Sequence, residues 1–342
     1  MRYRLMGSSG LRVSELALGA MTFGNDEWGA DKDESRRIYD GFREAGGNFV
    51  DTANRYADGR SEEYLGEFMA GDRDRVVLAT KYSAPLRGRD VNATGNSRKL
   101  MMESLHASLR RLQTDYVDLY WVHFRDHTTP IEEVMRGLDD LVRQGKILYC
   151  GISDTPAWQV ARGNTIAELR GWTRFVGLQV RYSLLDRDVE HELLPMAQAL
   201  DLTVTPWDAL GSGILTGKYN ATDAEAGTST DTAGGRAALR GQIPERSLKI
   251  ADQVVAVARE IGATPAQVAL SWVRGGPGVV VPLVGARTRA QLDDNLACLD
   301  VDLSAEHRAR LDEASAIRLP FPHNMIRPFR PANVLTHRPD QH

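Results

Sequence analysis

Cysteine is scarce: Cys150 and Cys298 are the only two in 342 residues. Neither stands in a CxxC or Cys/His pattern, so neither a disulfide scaffold nor a zinc module is expected. Cys150 lies inside the apolar run Ile147–Ile152 and reads as a buried, reduced thiol. Long hydrophobic runs are missing too. No stretch approaches the ~18 apolar residues of a membrane span. Met1-Arg2-Tyr3-Arg4-Leu5 lacks the apolar core of a secretory signal. The expectation is a cytoplasmic protein without a membrane partner. Asn92-Ala93-Thr94 and Asn220-Ala221-Thr222 match the glycosylation acceptor pattern, which means nothing without export.

Positive charge is not in excess. Lys and Arg number 42 against 46 Asp and Glu, a formal net charge of −4, so there is no broad basic face for nucleic acid. Phosphate and metal motifs are also lacking. In Gly211-Ser212-Gly213-Ile214-Leu215-Thr216-Gly217 the third glycine falls one place late for GxGxxG, and Gly217-Lys218-Tyr219 lacks the Ser/Thr of a P-loop. His191-Glu192 has no second histidine at HExxH spacing, and His123 and His127 lie in a loop after a strand. No metal site is expected.

What the chain does have is an alternation of short apolar runs with longer amphipathic stretches. Eight strands are predicted: Leu16-Ala17-Leu18, Phe49-Val50, 76–79, 117–122, 147–152, 175–180, 202–204 and 279–284. Continuous apolar strands imply burial on both faces, as in a parallel sheet. Helices begin near Asp33-Glu34-Ser35, Ser61-Glu62-Glu63, Met101 and Pro130, the last with proline in the first turn. Eight strand–helix repeats in about 300 residues fit an α/β fold of the (β/α)₈ TIM-barrel kind, with a doubly wound sheet as the second architecture. Tyr3-Arg4-Leu5, a glycine-serine turn and Val13-Ser14-Glu15-Leu16 read as a β-hairpin plugging the N-terminal end of the barrel. No interdomain linker appears, so residues 1–342 are read as one domain. The segments 83–97 and 220–243 are too long for plain connections and read as functional loops.

Three successive strands deliver titratable groups at their C-terminal ends: Asp51 with Tyr56 just beyond it, Lys81, and His123. In a barrel these ends share one rim, where active sites lie. An ammonium beside a phenol favours the phenolate, which lowers the tyrosine pKa from its usual ~10. An aspartate holds the lysine, and a histidine orients a carbonyl oxygen. Each residue taken singly has an ordinary structural role. Together they point to acid/base chemistry on an oxygen, which does not by itself establish hydride transfer.

These residues resemble the aldo-keto reductase family. The resemblance runs through Gly47–Tyr56 with Ser61–Gly66, Lys81 after Ala79-Thr80, and His123-Phe124-Arg125-Asp126 after Asp118-Leu119-Tyr120. It continues through Gly151-Ile152-Ser153, 179–182, 210–219 and 285–296, within the branch of aryl-alcohol dehydrogenases and channel β-subunits. It implies the barrel, the hairpin plug, extra C-terminal helices, and the tetrad Asp51, Tyr56, Lys81 and His123 with Tyr56 as acid. It also implies an NADPH-dependent reductase of a small carbonyl compound, reversible in direction. Ser153, Asp154 and Gln179 then hold the nicotinamide carboxamide, and Trp207 stacks on the ring. Leu210, Ser212, Leu215 and Lys218 wrap the pyrophosphate, with backbone N–H groups approaching it. Gly285, Arg287, Gln291, Asp294 and Asn295 hold the adenosine end. Arg287, suited to a 2′-phosphate, favours NADPH over NADH.

Two positions depart from the family. Asp154 replaces the usual asparagine, and Trp207-Asp208-Ala209 replaces a Trp-Ser-Pro run. Asp208 puts a carboxylate near the phosphates, unfavourable unless it points away or pairs with Lys218 or Arg287. The substrate pocket is expected from Trp28, Trp121, Phe124, the segment 83–97 and the tail 321–342. Its aromatics point to an aromatic or apolar substrate, although core or surface roles weigh equally. A redox-sensing subunit with slow turnover is the alternative to an enzyme, and an unrelated barrel isomerase or hydrolase using Tyr56 and His123 is a third reading. The residues do not set the oligomeric state, and a homo-oligomer stays open.

Overall fold

The computed structural model describes residues 1–84, 90–219 and 243–326. Most of the segment 220–243, residues 85–89 of the segment 83–97, and the tail beyond 326 with Phe329 and Pro331 lie outside the described residues.

The hairpin is present, with β1 (Tyr3–Leu5) antiparallel to β2 (Arg12–Ser14). Eight parallel strands follow: β3 (Ala17–Gly19), β4 (Phe49–Asp51), β5 (Val77–Tyr82), β6 (Val117–Val122), β7 (Ile147–Ser153), β8 (Phe175–Arg181), β9 (Thr203–Trp207) and β10 (Leu283–Val284). They pair in chain order, and β10 returns to β3. Val204 N donates to Val279 O and Val281 N to Val204 O, both at 2.8 Å, bringing β9 against the approach to β10. The result is a (β/α)₈ barrel, not a doubly wound sheet. The last strand is shorter than the apolar run 279–284, within which Val280 also meets Val204 in an isolated bridge.

Alternation along the strands divides the core in two. Val50, Leu78, Tyr82, Tyr120, Val122, Cys150, Ile152 and Leu178 pack outward on the surrounding helices. Phe49, Ala79, Leu119 and Trp121 pack inward with Met6 and Val13 of the hairpin region. Successive side chains of a strand take opposite faces, so one parity lines the barrel interior. Met6 and Val13, both fully buried, close the N-terminal end of the barrel, where Gly7 N donates to Thr203 Oγ1 at 2.7 Å.

The helices are set by local signals. Asp31 caps the helix Lys32–Glu44 and Ser97 caps Arg98–Leu112, each accepting a backbone N–H three residues on. Pro130 occupies the cap position itself, one residue before Ile131–Arg143. Thr264 and Gln267 form a capping box at Pro265–Arg274. Arg289–Leu296 follows the eighth barrel strand, and the extra C-terminal helices are Ala305–Ala314 and the short His323–Ile326. Behind the rim, the fully buried Glu62 accepts the Thr80 hydroxyl at 2.6 Å and pairs with Arg111 at 2.6 Å, tying Arg60–Phe68 to β5 and to Arg98–Leu112.

Candidate active site

The inward parity that packs Phe49, Ala79 and Trp121 delivers Asp51, Lys81 and His123 one step higher, at the C-terminal rim. Lys81 is the penultimate residue of β5 and is completely buried. An ammonium has three donors. Here they go to Asp51 Oδ1 in a short ion pair, to the Thr52 carbonyl at 2.7 Å and to the Tyr56 hydroxyl at 3.2 Å. The Tyr56 hydroxyl therefore accepts from Lys81, and its own proton points elsewhere. Gln179 Nε2 donates to the other Asp51 oxygen at 3.1 Å. The His123 ring stands edge-on to Tyr56, with centroids 6.0 Å apart.

Burial sets the electrostatics. It pushes the Lys81 ammonium down, but Asp51 and Tyr56 more than offset this and leave its pKa above the ordinary value. Burial also raises the Asp51 carboxyl against the pull of Lys81 and Gln179, so the ammonium is the firmly held charge of the pair. His123 is pushed down to about 3, first by burial and then by Lys81 and Arg55. It is a neutral imidazole near pH 7, able to donate or accept a hydrogen bond but not to serve as a cationic acid.

Tyr56 is held by an unusual turn. Ala57 (φ 49°), Asp58 (φ 55°) and Gly59 (φ 98°) follow it in the left-handed region before the helix Arg60–Phe68 begins. Two non-glycine residues there cost roughly 1–3 kcal/mol each, a strain typical of functional sites.

A cavity of about 400 Å³ opens over this network. Asp51, Tyr56, His123, Ser153, Asp154, Gln179, Trp207, Gly285 and Trp28 line it together. A second cavity of about 250 Å³ adjoins it, sharing Thr22, Asp208, Leu283 and Gly285. Leu210, Ser212, Lys218, Arg287, Gln291, Asp294 and Asn295 line the second. Joined at these shared residues, the two make one groove along the rim.

Within the groove, Trp207 Nε1 donates to Asp154 Oδ1 at 3.3 Å, and Arg181 stacks on the Trp207 ring at 4.6 Å. Gln291 accepts the Arg287 N–H at 2.9 Å, and Asn295 Nδ2 donates to Gly285 O at 3.3 Å. Asp294 accepts from Thr264 at 3.0 Å and Gln267 at 2.7 Å.

Three expected positions fall elsewhere. Trp121 is fully buried and fills the barrel below the rim. A Cβ on Gly151 would come 2.2 Å from its ring and one on Gly177 2.8 Å, so these glycines make room for the indole, which does not line the cavity. Phe124 tilts against His123 at 5.7 Å and is likewise outside the lining. The Leu215 side chain is fully buried in the outer core, and its N–H is taken by the Leu210 carbonyl.

The loop N–H groups also depart from expectation. Those of Gly211, Gly213 and Gly217 bond to backbone carbonyls, and that of Ser212 bonds to the Asp208 carboxylate. Asp208 thus faces into the loop and accepts the Ser212 hydroxyl as well. Ser212, Thr216 and Lys218 line the second cavity, with the Thr216 hydroxyl donating to Gly213 O at 2.8 Å.

The cavity also recruits Met21, Asn25, Arg55 and Ala57. Sequence patterning does not mark the first two: Met21 lies in the short 3₁₀ helix Ala20–Thr22 directly after β3, and Asn25 in the loop beyond it. Adjacency to Tyr56 was the available signal for Arg55 and Ala57. No described part of the segment 83–97 or of the tail reaches this lining.

Fold and site define a barrel protein with an acid/base cluster at the carboxyl rim, opening into a long groove. The sequence matches the Aldo/keto reductase family over residues 15–316, and the chain belongs to that family. The family uses nicotinamide cofactors to reduce carbonyl compounds. The chain is 40% identical to an aryl-alcohol dehydrogenase [NADP(+)] of Phanerodontia chrysosporium, over 94% of this chain and 87% of that protein. It is 36% identical to the norsolorinic acid reductase of Aspergillus flavus, over 94% and 83%. It is 35% identical to a putative aryl-alcohol dehydrogenase of Saccharomyces cerevisiae, over 94% and 88%. Among the described residues no helix is long and apolar enough to cross a membrane.

Proposed function

We propose that this chain is an NADPH-linked reductase of aldehydes or ketones, reversible in direction, with Tyr56 as the proton donor. The observation that carries the reading is the saturation of the Lys81 donors. With Asp51 and the Thr52 carbonyl taking two, the third fixes the Tyr56 hydroxyl at the cavity wall. A nearby ammonium favours the phenolate that remains once the proton has left. Neutral His123 supplies a hydrogen bond to the carbonyl oxygen, and Tyr56 supplies its proton. When bound, the cofactor supplies hydride to the carbonyl carbon.

The groove fits that cofactor. Gln179, its amide nitrogen committed to Asp51, offers its carbonyl oxygen to a carboxamide, with Ser153 beside it. Trp207, steadied by Asp154 and Arg181, offers an aromatic face. Lys218 and Arg287 supply positive charge in the adjoining cavity, where Arg287 favours a 2′-phosphate. The NADP(+) in the name of the Phanerodontia relative agrees with this choice.

Tyr56→Phe tests the reading. Turnover of aromatic aldehydes should fall by about 10²–10⁴ while NADPH fluorescence titration still shows binding. Unchanged turnover would remove Tyr56 from the chemistry.

A further inference from the structure

The acid/base network leaves one cation in the active-site cavity unused. Besides Tyr56 and His123, four ionisable side chains line this space: Asp51, Arg55, Asp154 and Asp208. Each carboxylate is engaged: Asp51 with Lys81 and Gln179, Asp154 with Trp207, Asp208 with Ser212. Arg55 makes no side-chain hydrogen bond or ion pair with any described residue, so its guanidinium keeps its donors for something else. Asp58, three residues on, forms no ion pair with it.

The base of Arg55 is nonetheless fixed. Asn54 N donates to Lys81 O at 3.2 Å, Tyr56 N to Ala53 O at 3.1 Å, and Asp58 N to Arg55 O at 3.2 Å. The residue directly before Tyr56 is therefore held in register with the phenol, and its positive charge reaches the His123 ring. Arg55 does not line the adjoining cavity, where Lys218 and Arg287 stand. Its place is on the substrate side of the groove. The same cavity is lined by the apolar and aromatic side chains of Met21 and Trp28.

We infer that Arg55 selects substrates in which an apolar, carbonyl-bearing body also carries a carboxylate. A guanidinium presents a planar fork that matches a carboxylate in two parallel hydrogen bonds. Trp28 and Met21 take the body, Tyr56 and His123 take the carbonyl, and Arg55 takes the anion. Asp154 and Asp208 lie toward Trp207 and the Ser212 loop, away from this role. The inference rests on the carbonyl-reducing reading of the same cavity and specifies its substrate class.

Steady-state kinetics on matched probes test it: 4-formylbenzoate, 3-formylbenzoate, methyl 4-formylbenzoate and benzaldehyde, with wild type, Arg55→Gln and Arg55→Lys. Wild type should prefer a formylbenzoate to the neutral ester. Added salt should raise KM for the acid and not for the ester. In Arg55→Gln the acid-to-ester ratio of kcat/KM should fall by about ten- to hundredfold, mainly through KM, with partial recovery in Arg55→Lys. NADPH titration of each variant checks that the groove is intact. Equal use of acid and ester by wild type, or an equal loss on both in Arg55→Gln, overturns the inference and leaves the carbonyl-reducing reading standing. Failure of wild type on every aldehyde, with NADPH bound, overturns both.

Discussion

The Lys81 ammonium stands 3.2 Å from the Tyr56 hydroxyl, and both its remaining donors are committed, to Asp51 and to the Thr52 carbonyl. Lys81 and Asp51 are almost wholly buried, so each depends on the other. Lys81→Met leaves an unpaired carboxylate and should cost about 3–5 kcal/mol of stability. The double variant Asp51→Asn, Lys81→Met removes both charges and should recover most of that loss. It should not recover turnover, because the phenolate left by proton donation has lost its cation. Denaturant unfolding and an NADPH-oxidation assay on the three proteins separate the two effects. A double variant with wild-type turnover would show that the ammonium serves the fold alone.

His123 ties stability to acid pH. Its pKa falls from 6.5 in the unfolded chain to about 3 in the fold, with burial as the main cause. Between those values the unfolded chain holds a proton that the folded chain does not. Stability therefore falls as pH drops through this window, by about 1.4 kcal/mol per unit well inside it. His123→Asn should flatten the profile there by up to one proton. Asp126 adds a lower step. Burial opposes it, but hydrogen bonds from Thr129, Asn96 and Thr128 hold its pKa at about 2, so its contribution is lost as pH falls below 3.8. Urea unfolding from pH 2 to pH 7 measures both slopes. An unaltered slope in His123→Asn would mean that the imidazole protonates in the fold.

Much of this was legible in the sequence because strand parity is rigid. Once Phe49, Ala79 and Trp121 are assigned inward, Asp51, Lys81 and His123 must follow them onto the same face. What parity does not give is height. Trp121 shares the face of the site residues but lies one layer down, and only Gly151 and Gly177 on the neighbouring strands hint at the space its ring occupies. Leu215 failed for a different reason: a residue inside a loop motif can turn its side chain into the core while its neighbours line the cavity. The pairing state of Arg55 depends on which acids fold beside it, and no local pattern encodes that. The left-handed pair Ala57-Asp58 was equally hidden, since alanine disfavours that conformation and a lone aspartate, which tolerates it, does not mark it.

Arg287 decides between the two nicotinamide dinucleotides if its guanidinium meets the 2′-phosphate. It is half-buried in the second cavity, its own N–H satisfied by Gln291. Arg287→Ala should weaken NADPH by about ten- to hundredfold and NADH far less. Fluorescence titration with both cofactors gives the ratio directly. Equal weakening of the two would place Arg287 away from the phosphate.

Asp208 sets a carboxylate in the lining of both cavities, and it should oppose the phosphates of a dinucleotide bound there. Its carboxylate holds the Ser212 N–H and hydroxyl, so it orders the loop while setting a negative charge beside the cavity of Lys218 and Arg287. Order and repulsion are separable by substitution. Asp208→Asn keeps an acceptor for Ser212 and removes the charge, so NADPH should bind about three- to tenfold more tightly. Asp208→Ala removes the acceptor too and should lose that gain, since the Ser212 N–H is then unpaired and the turn with Ser212 (φ 58°) and Gly213 (φ 89°) loses its brace. Titration of the three proteins at low and high salt distinguishes the terms, because only the charge effect is screened. If Asp208→Asn binds no more tightly than wild type at low salt, the carboxylate does not oppose the phosphates.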